Sequence, residues 1–370
     1  MIYSIFPNDD TTLYEASSSL NTGLDAILEI TKLGDPSGSA GSLVSSGSIF
    51  NTRALIKFNI TSISASVADG TITSPKFYLK LYATEVKDLN ISYNLKAFPV
   101  SQSWNPGQGR LFNNPKSDVG ASWKYRDSKL IGTQWTTASF AAVSTGSFIS
   151  EPGGGTWYTS SVASQAFSSQ TADVRMDVTD IVMSWISSSV PNEGFIVKRP
   201  MSEENNSTAY GSLKFFSRDT NTIYLPKLQV AWDDSSFATG SLSALTDEDI
   251  ILYMKNNVNS YPSGSRSKFR VVGRERYPAK TFATQSSALT IKYLPTSSYY
   301  CVKDASTEET IIPFDPDYTK LSCDGTGNYF KLWMDGLQPE RYYKFVFRVD
   351  TEGNTVKRFF DDDYIFKVTR

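Results

Sequence analysis

The stretch "GLQPERYYKFVFRV", residues 336–349, decides how the chain is read. From Tyr343 onward, Phe345, Phe347 and Val349 alternate with Lys344, Val346 and Arg348. A period of two turns the first set inward and the second outward, as in a β-strand with one buried and one wet face. The same period recurs in "RALIKFNI" (53–60), "KFYLKLYA" (76–83), "GFIVKR" (194–199), "SLKFFSR" (212–218), "YLPKLQVAW" (224–232) and "SKFRVVGR" (267–274). Between these strands lie Ser/Gly/Thr/Asn-rich segments such as 34–48 and 151–165, which read as loops. The whole predicts an all-β fold built of antiparallel sandwiches.

One short helix is expected, over "DVTDIVMSWISSS" (177–189). Val178, Ile181, Val182 and Trp185 recur at spacings of three and four, Asp177 or Thr179 is placed to cap, and Pro191 and Gly194 end the element. A chain of 370 residues is long for one domain. Small and polar residues dominate 233–249, which reads as a linker between an N-terminal domain, 1–232, and a C-terminal one, 250–370.

Lys and Arg number 36 against 38 Asp and Glu, a net charge of −2 that points to neither nucleic acid nor an anionic membrane as partner. No apolar run is long enough to span a bilayer, and "MIYSIFPNDDTTLYE" (1–15) lacks the basic and apolar regions of a secretory signal. A soluble protein is expected, released by lysis or a dedicated machine. There is no histidine anywhere, which removes Ser-His-Asp and Cys-His catalysis and most zinc chemistry. An enzyme working through carboxylates alone survives that filter. Cys301 and Cys323 are too few for a disulfide framework; they are either one bridge or two free thiols.

Several pieces of the N-terminal half fall in a recognisable order: "RALIKFNI", "KFYLKLYA", "AFPVSQSWNPGQG" (97–109), "MDVTDIVMSWISSSVPNEGFIVKR" (176–199) and "KFFSRDTNTIYLPKLQVAW" (214–232). This series resembles the DNRLRE family of β-sandwich domains across about residues 5–232. That family pairs an Arg-apolar-Lys-Phe strand with a tryptophan-bearing loop, a short Val/Trp helix and a closing Ser-Arg-acidic then Pro-Leu-Val strand. Its signature falls here on Phe216, Ser217, Arg218 and Asp219, with aspartate where glutamate is more usual. The resemblance implies a jelly-roll-like sandwich of surface assemblies, with carbohydrate binding in some members. On physical grounds Arg218 and Asp219 read as a latch between loop and sheet. Phe58, Leu79, Leu81, Phe195, Val197, Leu228 and Val230 read as core, with Trp185 covering one open end.

In the C-terminal half, Leu337, Pro339 and Tyr343 resemble the leucine-proline-tyrosine corner of fibronectin type III and related immunoglobulin-like domains, in which the tyrosine hydroxyl bonds back to the chain. The stretch 247–282 and residues 1–15 are similar to segments of virion structural proteins of large tailed bacteriophages. That resemblance implies a virion protein assembled in the host cytoplasm, with other virion proteins as partners and many copies or a homo-oligomer as its state.

Candidates for chemistry are the carboxylates of "NDD" (8–10), "SEENN" (202–206) and "DDD" (361–363). Hydrolysis of a glycoside needs two of them facing a cleft, and nothing in their spacing shows convergence. Clustered Asp, Asn and Glu with loop carbonyls are also hard oxygen donors, so calcium is the one cofactor left open. "GGG" (153–155) lacks the context of a phosphate loop and reads as a turn. Trp104, Trp123, Tyr125, Trp135 and Trp157 fall in the irregular middle of the N-terminal domain, as plugs under loops, contacts to a protein partner, or platforms for host glycans. The expectation is a non-enzymatic structural component of a tailed-phage virion, a capsid decoration, neck, tail or baseplate protein. A glycan-binding adhesin or fibre module comes second and a carboxylate glycosidase third.

Overall fold

The computed structural model of the 370-residue chain describes residues 1–34, 49–127, 133–136, 141–144, 153–168, 171–246, 249–278, 290–351 and 356–370. Most of the Ser/Gly stretch 34–48 and residues 247–248 and 279–282 of the phage-like stretch therefore lie outside the described residues. Strands hold 48% of the described residues and helices 8%, with the sheets curled into sandwich-like arrangements, so the all-β expectation stands.

Two compact bodies make up the chain: Ile5–Ala65 with Lys76–Gln229, and Met1–Ser4 with Ser66–Pro75 and Val230–Arg370. The expected division, 1–232 and 250–370, is corrected at both ends. Residues 1–4 join the C-terminal body, where the Met1 ammonium donates to the Trp232 carbonyl and to Asp234 Oδ1 (2.8 Å), and the Tyr3 ring stands edge-on to Trp333 at 5.5 Å. Nor do residues 233–249 hang free as a linker. Cys323 N–H donates to Ser236 O (2.8 Å), Ala238 N–H to Cys323 O (3.0 Å) and Leu245 N–H to Tyr293 O (2.8 Å), while Ser243–Ala244 pairs in parallel with Lys292–Tyr293. Small polar residues hide such pairing from composition, because only their backbone takes part.

In the N-terminal body the larger sheet runs, in order, Ala163–Ser168, Ser92–Pro99, Phe195–Lys198, Ile49–Phe58, Ile27–Gly34, Gly211–Phe216 and Ala83–Lys87, with Pro7–Tyr14 also paired to Ile49–Phe58. A second sheet includes Lys227–Ala231, Lys76–Leu81 and Val174–Asp177. The expected core residues Phe58, Leu79, Leu81, Phe195, Val197, Leu228 and Val230 are all buried, and Trp185 packs on Phe195 at 4.6 Å. The expected helix is present as Thr179–Ile186, with Val178, Ile181, Val182 and Trp185 buried on one side and Asp177 Oδ1 accepting the Thr179 N–H (2.9 Å). Helices Thr61–Ala68 and Met201–Glu204 were not expected. The first is Ser-rich with no apolar stripe, and the second is a single turn, so neither carries a periodic signal.

One reading of the alternation fails in the middle of this sheet. Arg53 through Ile56 and all of Phe195–Lys198 are buried on both faces. The face expected to be wet is covered by Val100, Trp104, Ala121, Trp123 and Trp135 and by the strand Gly153–Tyr158, the latter lying in the 151–165 stretch expected to be loop.

The C-terminal body has a sheet ordered Ser243–Ala244, Lys292–Tyr293, Arg266–Glu275, Gly327–Trp333, Ser322–Asp324, with Ile250–Lys255 also on Arg266–Glu275. Its other sheet is ordered Ser260–Pro262, Val356–Thr369, Arg341–Thr351, Ser298–Asp304, Thr310–Ile312. Aromatic rings fill the space between: Phe330 stacks on Tyr300 (4.4 Å) and Phe269 (5.1 Å), and Phe345 stacks on Phe366 (4.5 Å). Tyr343 Oη donates to Gln338 O at 2.9 Å, closing the corner read from the opening stretch. Phe345, Phe347 and Val349 point inward as expected, yet Lys344 and Val346 on the opposite face are buried too. Lys344 is held there by Glu308 (2.7 Å) and Asp361 (2.9 Å). Cys301 and Cys323 are buried free thiols, one in each sheet.

Candidate functional site

The densest group of charged side chains in the N-terminal body sits on that covered sheet face. Strand alternation puts Arg53 and Leu55 on one side of Ile49–Phe58, and Ile196, which pairs with Leu55, carries Lys198 onto the same side two residues on. Pro200 then turns the chain into Met201–Glu204, which drops Glu204 onto both cations. Arg53 Nε and Nη2 donate to Glu204 Oε1 (3.0 Å) and Oε2 (2.7 Å), and Lys198 Nζ lies 2.6 Å from Oε2. The Arg53 and Lys198 side chains are 0% exposed and Glu204 is 1% exposed.

Aromatic rings complete the enclosure. The Arg53 guanidinium lies 4.6 Å from the Trp123 ring centre and 5.2 Å from that of Trp157, and Lys198 Nζ lies 5.2 Å from Trp157. Arg53 Nη1 donates to Gly154 O at 2.6 Å. Gly154 has φ +76°, and a Cβ there would come within 2.5 Å of Arg53 Nη1 and 2.9 Å of the Trp123 ring. The glycine run is thus a strand end that makes room for Trp123, correcting its reading as a turn. Around the triad, Arg199 bonds Glu203 (3.2 Å) and Tyr210 O (2.6 Å), and Lys32 Nζ donates to the carbonyls of Glu203, Glu204 (2.9 Å) and Asn206. Glu15 accepts both the backbone and side-chain N–H of Asn51 (2.8 and 2.9 Å).

Burial alone would raise the Glu204 carboxyl, but the charges of Arg53 and Lys198 overcome it and hold the group below the ordinary carboxylate value. Burial pushes Lys198 down to about 8 against the pull of Glu204. A carboxylate gripped by three donors and closed off from water has no role as acid, base or nucleophile toward an external substrate. What the arrangement does is neutralise two buried cations and tie the covering layer to the sheet.

The tryptophans read as loop plugs, partner contacts or glycan platforms lie within this covering layer. Trp104, Trp123, Trp135 and Trp157 are all buried, in one cluster with Leu13, Leu55, Phe98, Val100, Ala121 and Ile196. Trp104 Nε1 donates to Glu193 O (2.8 Å) and Trp135 Nε1 to Ser122 O (2.9 Å). Of the three readings left open for the tryptophans, burial fits the plugs under loops; Tyr125 is half-buried, bridged to Gln134. The reason is that a sheet face with Leu55, Phe98 and Ile196 on it must be covered, and irregular chain bearing large rings covers it.

The carboxylate candidates do not converge. Asp10 is buried and its Oδ2 accepts the Arg218 N–H (2.7 Å); burial pushes its carboxyl up to about 7. Arg218 bridges Asp9 and Asp219, each at 3.4 Å, which makes the Ser-Arg-Asp segment a latch onto the strand Pro7–Tyr14. Asp361 is bonded to Lys344, and Asp361–Asp363 bulge out of a strand where the register slips between Phe345 and Phe347. Among the described residues no three acidic or thiol side chains group as cation ligands.

Sequence reasoning named Glu204 within the acidic stretch 202–206 but missed its partners Arg53 and Lys198, and it missed Asn21, another fully buried polar residue. The Asn21 amide is saturated: Nδ2 donates to Pro106 O (2.7 Å) and Ala121 O (2.8 Å), and Oδ1 accepts from Gly109 (2.8 Å) and Gly23 (3.2 Å). Alternation puts Arg53 and Lys198 on the faces expected to be wet, where a charge is ordinary, so the sequence carried no signal that they meet in the interior.

No family model matches the chain, and no curated protein matches it. Among solved structures it is similar to a β-glucuronidase of Parabacteroides merdae at 10% identity with a TM-score of 0.14, over 96% of this chain and 36% of that one. The chain thus spans about a third of the glucuronidase, and a likeness of that size carries no argument about fold or activity.

Proposed function

We propose that the protein is a non-enzymatic structural component that acts by docking onto other proteins, and that its setting is the tailed-phage virion implied by the sequence resemblances. One observation carries this reading. The charged and aromatic side chains best suited to chemistry, Arg53, Lys198, Glu204 and the loop tryptophans, are spent inside the N-terminal body, where they hold its covering layer to the sheet. Such a body presents rigid loops and strand edges, and its rigidity lowers the entropy lost on assembly.

Quantitative mass spectrometry of purified particles tests the proposal. The chain is expected at a fixed copy number relative to the major capsid protein; its absence from particles refutes the virion setting. Release of reducing sugar from a panel of polysaccharides by the purified protein refutes the non-enzymatic reading.

A further inference from the structure

Residues 105–121 form a loop that ends in a bare aromatic ring. Phe112 is 91% exposed, more than any other large apolar side chain among the described residues, and Arg110, Asn113, Asn114 and Lys116 around it are exposed as well. The base of the loop is fixed. Besides the four bonds of the Asn21 amide, Asn21 N–H donates to Ser117 O and Leu24 N–H to Gly109 O, both at 2.9 Å, and Leu111 N–H donates to Asp25 Oδ2 (3.2 Å). Gly109 packs so closely that a Cβ would lie 2.2 Å from Asn21 O. A ring held in water on so stiff a base contributes nothing to its own body, and it is the kind of anchor that fills a partner's pocket at little entropic cost.

The C-terminal body offers a receptor of opposite character. A groove of about 530 Å³ is lined by Met254, Tyr342, Asp363, Tyr364 and Ile365 with three asparagines. Tyr342 is 54% and Ile365 40% exposed, Asp363 is the one charged residue of the lining, and the adjacent Asp362 is exposed. Lys367 beside it is engaged by Glu340 at 2.6 Å. The groove therefore joins Met254, Tyr342 and Ile365 to three asparagines and the Asp363 carboxylate, with the Lys367 charge 5.8 Å over the Tyr342 ring already answered by Glu340, whereas the tip joins an apolar ring to Arg110 and Lys116.

We infer that the Arg110–Phe112–Lys116 tip of one copy docks into the Met254–Tyr342–Asp363–Ile365 groove of a second copy, a head-to-tail contact between identical chains. The contact uses two different surfaces of one chain, so each copy has both halves free to engage and the association is heterologous. It deepens the building-block reading, on which its biological setting rests, by naming the surfaces.

Sedimentation velocity of the full chain from micromolar to millimolar concentration tests it. Wild type is expected to associate with rising concentration and less so in high salt. Phe112→Ser and Ile365→Lys are each expected to weaken association at least tenfold, with thermal unfolding unchanged because both side chains are exposed. Mixing the two variants is the decisive arm: one keeps its groove and the other its tip, so together they form a 1:1 dimer that cannot grow. A monomeric wild type, association indifferent to Phe112→Ser, or a mixture that stays monomeric overturns the inference. So does binding of a monomeric wild type to phosphatidylserine vesicles that is lost in Phe112→Ser, which would make the tip a membrane contact. Self-association by a chain absent from particles sinks only the virion setting, and a monomeric chain found in particles sinks only the tip–groove contact.

Discussion

Replacing Glu204 by Gln keeps the side chain's volume and removes its charge, leaving Arg53 and Lys198 buried without a counter-ion. The Glu204 carboxylate holds Arg53 through bonds of 3.0 and 2.7 Å and Lys198 at 2.6 Å, with 1% of its side chain exposed. Breaking a buried pair of this kind costs about 3–5 kcal/mol, because the desolvated partner charge is left behind. A body of this size loses about 2–4 °C of Tm per kcal/mol, so Glu204→Gln is expected to lower its transition by roughly 6–20 °C. Tryptophan fluorescence during urea or thermal unfolding is the assay, since Trp104, Trp123, Trp135, Trp157 and Trp185 lie in the N-terminal body and only Trp232 and Trp333 in the other. Glu203→Gln is the milder comparison: Glu203 is 17% exposed and touches the buried Arg199 once, at 3.2 Å, while Arg199 keeps its bond to Tyr210 O, so a loss of about 1–2 kcal/mol is expected. Adding Lys198→Met to Glu204→Gln removes one uncompensated charge and is expected to restore part of the loss. Equal effects of Glu203→Gln and Glu204→Gln, or a loss below about 1 kcal/mol for the latter, would refute the role given to the triad.

Other perturbations probe separate parts of the molecule. Because burial raises Asp10 from 3.8 to about 7, the folded state binds a proton that the unfolded state has released between those values. Stability should therefore fall as pH rises through that window, by an amount on the order of 4 kcal/mol. Asp10→Asn, whose amide oxygen still accepts the Arg218 N–H, should flatten that part of the curve in urea titrations run at about pH 4 to 8. Tyr343→Phe removes the 2.9 Å bond to Gln338 O and should cost the C-terminal body about 1 kcal/mol by calorimetry while leaving the N-terminal transition in place. Asn21→Ala strands the carbonyls of Pro106 and Ala121 and the Gly109 N–H. A loss of about 3 kcal/mol and faster hydrogen exchange at Gly109 and Leu24 are expected, and unchanged exchange would mean the loop is held by something else.

What the sequence determined alone was local and periodic. Alternation located the strands around residues 53–58, 76–81, 195–198, 212–216, 227–231, 267–274 and 343–349 and sorted Phe345, Phe347 and Val349 to the inner face, because side-chain direction in a strand follows from backbone geometry. The three-and-four spacing found the helix Thr179–Ile186 for the same reason, and a leucine-proline-tyrosine turn marked the bond that Tyr343 makes five residues back. Tertiary structure decided what lies against each face. Arg53 and Lys198 stand at positions that alternation calls wet, and only the meeting of residues 53, 154, 198 and 204 in space shows that they are buried and neutralised. Trp123 and Trp157 read as loop residues because nothing in their neighbourhood is periodic, yet they cover an apolar sheet face contributed by strands far away in sequence. Residues 233–249 read as a linker because backbone pairing with Cys323 and Tyr293 leaves no trace in side-chain composition. Period and turn chemistry are written into neighbouring residues, whereas burial of a charge or a ring depends on which distant segment arrives to cover it, and that is set only when the chain folds.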